Sequence, residues 1–141
     1  MKLLWKRLHP HAVAPTYAHA SDAGADLTLV EGARLWPLQR KDLPVGIAVE
    51  PPLGYFYDIR PRSSTLRKRG LLVHQGTIDN GFRGPLFVYV MNLRPWPVTV
   101  RPGDRLAQIV MLRSTQPVVE EVEELSETPR GAGGFGSTGL R

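Results

Sequence analysis

The sequence predicts an all-β domain, on three observations. Thirteen prolines and fourteen glycines punctuate 141 residues at short intervals, cutting the chain into strand-sized pieces. No long segment keeps helical periodicity, and no repeat of 20–50 residues is visible. The pieces between the breakers are short apolar runs, the pattern of a β-sandwich, jelly roll or barrel.

Taken in order, the strand candidates are Ala25–Val30, Leu43–Glu50, Gly54–Arg60, Leu71–His74, Leu86–Leu93, Val98–Val100, Arg105–Leu112 and Val118–Glu123. Leu86-Phe-Val-Tyr-Val-Met-Asn-Leu93 is a near-continuous apolar run, as expected of a strand covered on both faces. Gly76–Gly84 reads as a tight hairpin, with Asn80-Gly81 as its turn. Ser63–Arg69 is the one helix candidate, about two turns long, with Ser63 as its N-cap. From about Glu127 the chain is polar and glycine-rich. The expected organisation is a β domain over 1–126 and a flexible tail over 127–141.

The length suits one domain with a core that needs no staples. Absence of cysteine excludes disulfides, thiolate metal sites and a cysteine nucleophile. The N-terminal Met1-Lys-Leu-Leu-Trp-Lys-Arg7 has too short an apolar run for a signal peptide, and no stretch approaches a membrane span. The expectation is a cytoplasmic protein without a membrane partner. The formal charge is +5, but basic residues concentrate in Arg60–Arg69 while Glu120, Glu121, Glu123, Glu124 and Glu127 crowd one later segment. A local basic cluster holding two serines suits a compact polyanion such as a triphosphate. A duplex binder would show a long basic stripe or a reading helix, so no nucleic-acid partner is expected.

Five clusters are candidates for chemistry. Arg130-Gly-Ala-Gly-Gly-Phe-Gly-Ser-Thr-Gly139 cannot pack into a core, but a ligand can order it. Its unobstructed N–H groups suit phosphate oxygens, Ser137 and Thr138 add hydroxyls, and Arg130 adds a permanent cation. Phe135 offers a face for a base. Pro61-Arg-Ser-Ser-Thr65 opens the short helix, where unpaired N–H groups and partial positive charge gather. In Gly76-Thr-Ile-Asp-Asn-Gly-Phe-Arg-Gly84, Asp79 buried beside Ile78 and Phe82 has a general-base setting, though taken alone it also suits shaping the turn. Ala23-Gly-Ala-Asp-Leu27 and Pro102-Gly-Asp-Arg-Leu-Ala-Gln108, alone, read more readily as turns entering strands. No Gly-Lys-Ser/Thr follows the glycines, so the tail is no P-loop. His9, His11, His19 and His74 have no zinc-site spacing.

In order, these clusters resemble the five motifs of the trimeric dUTPase family, which splits dUTP into dUMP and pyrophosphate. The match runs from Ala23 to Leu140. The resemblance implies a distorted β jelly roll, a homotrimer with sites at subunit interfaces, and a tail that closes over the ligand. It makes Asp79 the base that activates water and a holder of the sugar 3′-hydroxyl. Arg62, Ser63, Ser64 and Gln108 would hold phosphates, with Asp26 in the outer shell and Asp104 supporting. Gly76, Ile78 and Phe82 join the substrate-binding set, as does Gly136. Phe135 would stack on uracil while Arg130, Ser137 and Thr138 grip the terminal phosphate. Mg²⁺ would be held mainly by substrate phosphates, consistent with its sparing use of protein ligands.

The chain departs from that family at three places. Phe82 stands where tyrosine is usual, Gly70–Gly76 is shorter than the usual run, and Ala132 replaces a common acidic residue. The rival reading is the related dCTP deaminase group, including bifunctional members, whose Arg-Ser-Ser-x-x-Arg pattern fits Arg62–Arg67. Deamination there needs a glutamate at the position aligned with Tyr89, and Leu86–Leu93 contains no carboxylate. A non-enzymatic nucleotide- or nucleic-acid-binding β protein is the remaining alternative.

Overall fold

The computed structural model describes residues 1–139 and is all-β with one short helix, a distorted jelly roll. Its strands are β1 Leu4–Arg7, β2 Gly24–Leu27, β3 Ala33–Leu35, β4 Arg40–Pro44, β5 Ile47–Glu50 and β6 Tyr55–Pro61. The helix α1 Ser63–Arg69 follows, then β7 Leu71–Val73, β8 Gly76–Ile78, β9 Phe87–Asn92, β10 Val98–Val100 and β11 Ala107–Arg113. A four-stranded sheet has the order β2-β11-β6-β8, a three-stranded sheet β4-β9-β7, and β1-β5 and β10-β3 form two-stranded ribbons. Every pairing is antiparallel.

Alternation along the strands builds one core. Tyr57 and Ile59 of β6 meet Ile109 of β11, Leu27 of β2, Val88 and Val90 of β9, and Leu71 and Val73 of β7. Burying one such side chain contributes about 1.5–3 kcal/mol. Tyr57 brings a hydroxyl into this core that has no hydrogen-bond partner among the described residues. Burial raises its pKa, and the neighbouring charge of Tyr17 adds to the effect. A buried unpaired hydroxyl costs about 1–3 kcal/mol. Tyr57→Phe keeps the ring and removes that cost, so it is expected to raise Tm by a few degrees at fixed protein concentration. A lower Tm would mean that the hydroxyl is satisfied in solution.

The helix, β10 and the main strands fall where the sequence puts them, with four differences. The single strand expected over Leu43–Glu50 is two, because Gly46 turns the chain at φ +73°. A Cβ at Gly46 would strike the His9 side chain, so only glycine makes this break. The strand expected over Ala25–Val30 ends at Leu27. β9 alternates buried and less buried residues, so only one face lies in the core rather than both. Val118–Glu123 forms no strand: Val118 and Val119 are 93% and 95% exposed, and the segment finds no partner strand among the described residues. Two strands were not legible, β1 and β3; Arg34 and Trp36 flank Leu35 as exposed neighbours of one buried position.

Candidate functional site

The start of α1 is tied to the sheet before any ligand is considered. Arg62 N donates to Leu106 O at 3.1 Å, and the buried Thr65 hydroxyl donates to the same carbonyl at 2.7 Å. Arg62, not Ser63, is the N-cap, in extended conformation and with no side-chain capping bond. The serine side chains at the first two helical positions are therefore left for another partner. Gly70 closes the helix in the left-handed region, its N–H reaching the Leu66 and Thr65 carbonyls.

The antiparallel register sets Gln108 of β11 opposite Asp26 of β2 and opposite Arg60 of β6. A Cβ at Gly24 would collide with the Gln108 side chain, so the glycine two residues before Asp26 makes room for that amide. Gln108 Nε2 donates to Pro61 O at 3.1 Å. Asp26 is 5% exposed and takes two guanidiniums: Arg62 Nε at 2.8 Å on Oδ1 and Arg105 Nη1 at 3.2 Å on Oδ2. A buried carboxylate costs several kcal/mol unless so paired. Asp26 thereby fixes Arg62 beside Ser63, Ser64 and Gln108. Arg105, read from sequence as a turn residue, is the partner that sequence reasoning missed. Its signal was the Asp26–Gln108 pairing, which brings the start of β11 to Asp26.

Asp104 stands apart from this cluster and organises a turn. Its carboxylate accepts from Arg69 Nη1 at 2.7 Å and from Arg101 N at 2.9 Å. Burial pushes its pKa up, but the Arg101 and Arg69 hydrogen bonds and charges outweigh it and hold the group below its ordinary value.

Asp79 follows β8, which pairs with β6 rather than with the strand after it. The expected hairpin is thus only a turn, Phe82 N donating to Asp79 O at 3.0 Å, after which the chain crosses to β9 in the other sheet. Asp79 is exposed, not buried as the sequence suggested, because the tight turn lifts it off the sheet edge. It opens into a concavity of about 450 Å³ with Tyr55, Phe56, Thr77, Asn80 and Gln116. Asn80 fixes the turn: its Nδ2 lies 3.1, 2.8 and 3.1 Å from the carbonyls of Pro51, Pro52 and Tyr55. Ile78 is half-buried against the core, Gly76 is half-buried, and Phe82 shows its ring to solvent.

The tail forms its own cradle. Arg130 Nε donates to Gly133 O at 2.7 Å, and Arg130, Phe135, Gly136, Ser137 and Thr138 line a hollow of about 480 Å³. Phe135 is fully exposed at φ +51°. Leu140 and Arg141 lie outside the described residues.

One chain therefore assembles three separate groups: Arg62, Ser63, Ser64, Gln108 and Asp26; Asp79 with Ile78 and Phe82; and the tail. No hydrogen bond or ion pair joins any two of them among the described residues. Among those residues, no three His, Asp or Glu side chains converge as a metal cage.

A family model described as dUTPase matches residues 11–139. The chain belongs to the dUTPase family. A deoxyuridine 5′-triphosphate nucleotidohydrolase of Thermobifida fusca is 46% identical over 137 residues, covering 95% of this chain and 76% of that protein. One from Wolinella succinogenes is 44% identical, covering 99% of this chain and 95% of its own length. Among solved structures, a Staphylococcus bacteriophage 80alpha dUTPase mutant with dUpNHpp superposes with a TM-score of 0.94 at 27% identity, covering 99% of both chains. A mutant dUTPase of phage phi11 of S. aureus, described with a structural Mg(II) ion, has a TM-score of 0.85 at 25% identity, covering 90% of this chain and all of that one.

Proposed function

We propose that this dUTPase-family enzyme hydrolyses dUTP to dUMP and pyrophosphate, by attack of a water activated by Asp79 at the α-phosphorus. The observation that carries the reading is the Asp26–Arg62 pair at 2.8 Å, which holds a guanidinium beside the two serine side chains at the start of α1. Such a cluster of donors suits phosphate oxygens. Arg62, Ser63, Ser64 and Gln108 bind the phosphates, and Arg130, Ser137 and Thr138 hold the terminal one. Phe135 stacks on uracil, Gly136 lets the backbone approach, and Gly76, Ile78 and Phe82 line the deoxyuridine. Asp79 orients the water, accepts its proton and anchors the 3′-hydroxyl. As the bond to the leaving pyrophosphate lengthens, its growing charge meets Arg62, Arg130 and the tail N–H groups.

The donor set fits a metal carried by the substrate. Both Asp26 oxygens are engaged by guanidiniums, so this carboxylate is suited to an outer shell. Bound on the triphosphate, Mg²⁺ would supply charge neutralisation, with Asp26 in its outer shell.

The enzyme is a homotrimer in this reading. Support comes from the three unlinked groups and from Val118–Glu123, strand-like in sequence yet exposed and unpaired within the chain. Both point to completion by neighbouring copies.

The test supplies dUTP, dCTP, UTP and dTTP with Mg²⁺ and follows pyrophosphate, ammonia and nucleoside products, with sedimentation run on the same sample. The expected result is pyrophosphate and dUMP from dUTP by a species of three times 15.7 kDa. Ammonia from dCTP at a comparable rate would replace the reading by a deaminase, and an active monomer would remove the shared site. Phe82 lacks the phenolic hydroxyl of the usual tyrosine. UTP is therefore expected to be rejected by packing alone, on the order of a hundredfold in kcat/KM.

A further inference from the structure

We propose that a groove at the C-terminal end of α1 binds single-stranded nucleic acid, gripping its phosphates and stacking its bases. The groove has a volume of about 420 Å³ and runs between Lys68 and Arg69 on one side and Arg94, Trp96 and Pro97 on the other. It lies one helix length, about 10 Å, from Ser63 and is separate from the three groups assigned to dUTP.

Of two tryptophans that the core does not use, Trp96 lines this groove and Trp36 lies outside its lining, on the neighbouring chain segment. Trp96 is 54% exposed and Trp36 is 58% exposed. Their positions are set by a buried side chain: Asn92 Nδ2 donates to Trp96 O at 2.9 Å and to Leu35 O at 3.0 Å. One amide thus fixes the backbone of Trp96 and the residue before Trp36 side by side. Each indole carries a guanidinium over its ring, Arg94 over Trp96 at 5.4 Å and Arg34 over Trp36 at 5.3 Å. Arg94 is itself seated over Gly70, where any Cβ would collide with it, and hydrogen-bonds Lys68 O at 3.4 Å.

Positive charge predominates at this edge. The last turn of α1 is Arg67-Lys68-Arg69. The one carboxylate paired to a groove residue is Asp104, on Arg69. Among the described residues no carboxylate pairs with Arg34, Arg67, Lys68 or Arg94. Five of the thirteen carboxylates sit in Glu120–Glu127, so the body of the chain is more basic than its +5 total. A small anion has no use for an exposed indole, and an acidic peptide needs none. An exposed ring in a basic groove matches a flexible polyanion whose units carry π-faces, which is a single strand. The sequence leads to the opposite expectation, no nucleic-acid partner, because it does not say which tryptophans are left out of the core.

The test uses fluorescein-labelled oligo(dT) of 20 nucleotides at 50 and 200 mM salt, read by anisotropy and by quenching of tryptophan fluorescence. Binding with quenching, weakened at the higher salt, is expected. Trp96→Ala should weaken it roughly 5–150-fold, the worth of one stacked base. Lys68→Glu should weaken it and flatten the salt dependence, which keeps the test open if Trp96→Ala fails to fold by thermal unfolding. Phe135→Ala should bind as wild type. No binding, equal binding by both groove variants, or loss on Phe135→Ala instead would overturn the proposal. So would binding without quenching that heparin displaces, or binding to phosphatidylglycerol vesicles but not to the oligonucleotide.

Discussion

Asp79→Asn is expected to lower kcat for dUTP by roughly 10²–10⁴ while leaving nucleotide affinity near wild type. The amide copies the carboxylate in shape and still accepts a hydrogen bond from the sugar, but it cannot take the proton of the attacking water. The turn should survive the change. It is held by the Asp79 carbonyl, which receives Phe82 N at 3.0 Å, and by Asn80, whose amide reaches the carbonyls of Pro51, Pro52 and Tyr55. None of these bonds uses the Asp79 side chain, so the loss falls on kcat and not on Tm. Single-turnover kinetics and a dUTP-analogue titration on the same sample separate the two. Near-normal turnover would assign the proton to another base.

Truncation before Arg130 is the second large effect, and it falls on activity rather than on stability. Arg130–Gly139 lends no side chain to the core, and its hydrogen bonds are local, Arg130 to Gly133 and Ser137 N to Gly134 O. Thermal unfolding should therefore be unchanged. Activity should fall by most of its value, because Arg130, Ser137, Thr138 and the glycine N–H groups act on the closed state in which charge develops. Phe135→Ala should be milder, about 5–150-fold in kcat/KM for one base–aromatic stack. Intact kcat/KM in the truncated enzyme would make the tail a bystander.

Which parts were legible in the sequence follows from what each part depends on. The limits of α1 were legible because Pro61 and Gly70 bracket it. Its N-cap was not, since whether Ser63 or Arg62 takes that position depends on the bonds of Arg62 N and Thr65 Oγ1 to Leu106, more than forty residues further along the chain. Asp26 and Arg62 were named from sequence, but their pairing, and Arg105 as second partner, arise from the register of β2 against β11. The exposure of Asp79 was misjudged because apolar neighbours in sequence do not bury a residue that a tight turn lifts off the sheet. Val118–Glu123 shows the same limit. Its pattern suits a strand, but a strand needs an edge to join, and the pattern does not say whose.

That valine-bearing segment also bears on how the chain survives its own synthesis. Val118, Val119 and Val122 are the kind of β-branched residues that pair with any open strand edge in a crowded solution. Glu120, Glu121, Glu123 and Glu124 are interleaved with them. Stacking two such segments in register would set glutamate against glutamate, so the charges act as gatekeepers against fibre-like association. A basic edge would meet them differently, since each glutamate would then gain a partner. The same residues can thus reject indiscriminate self-pairing while leaving one correct union open.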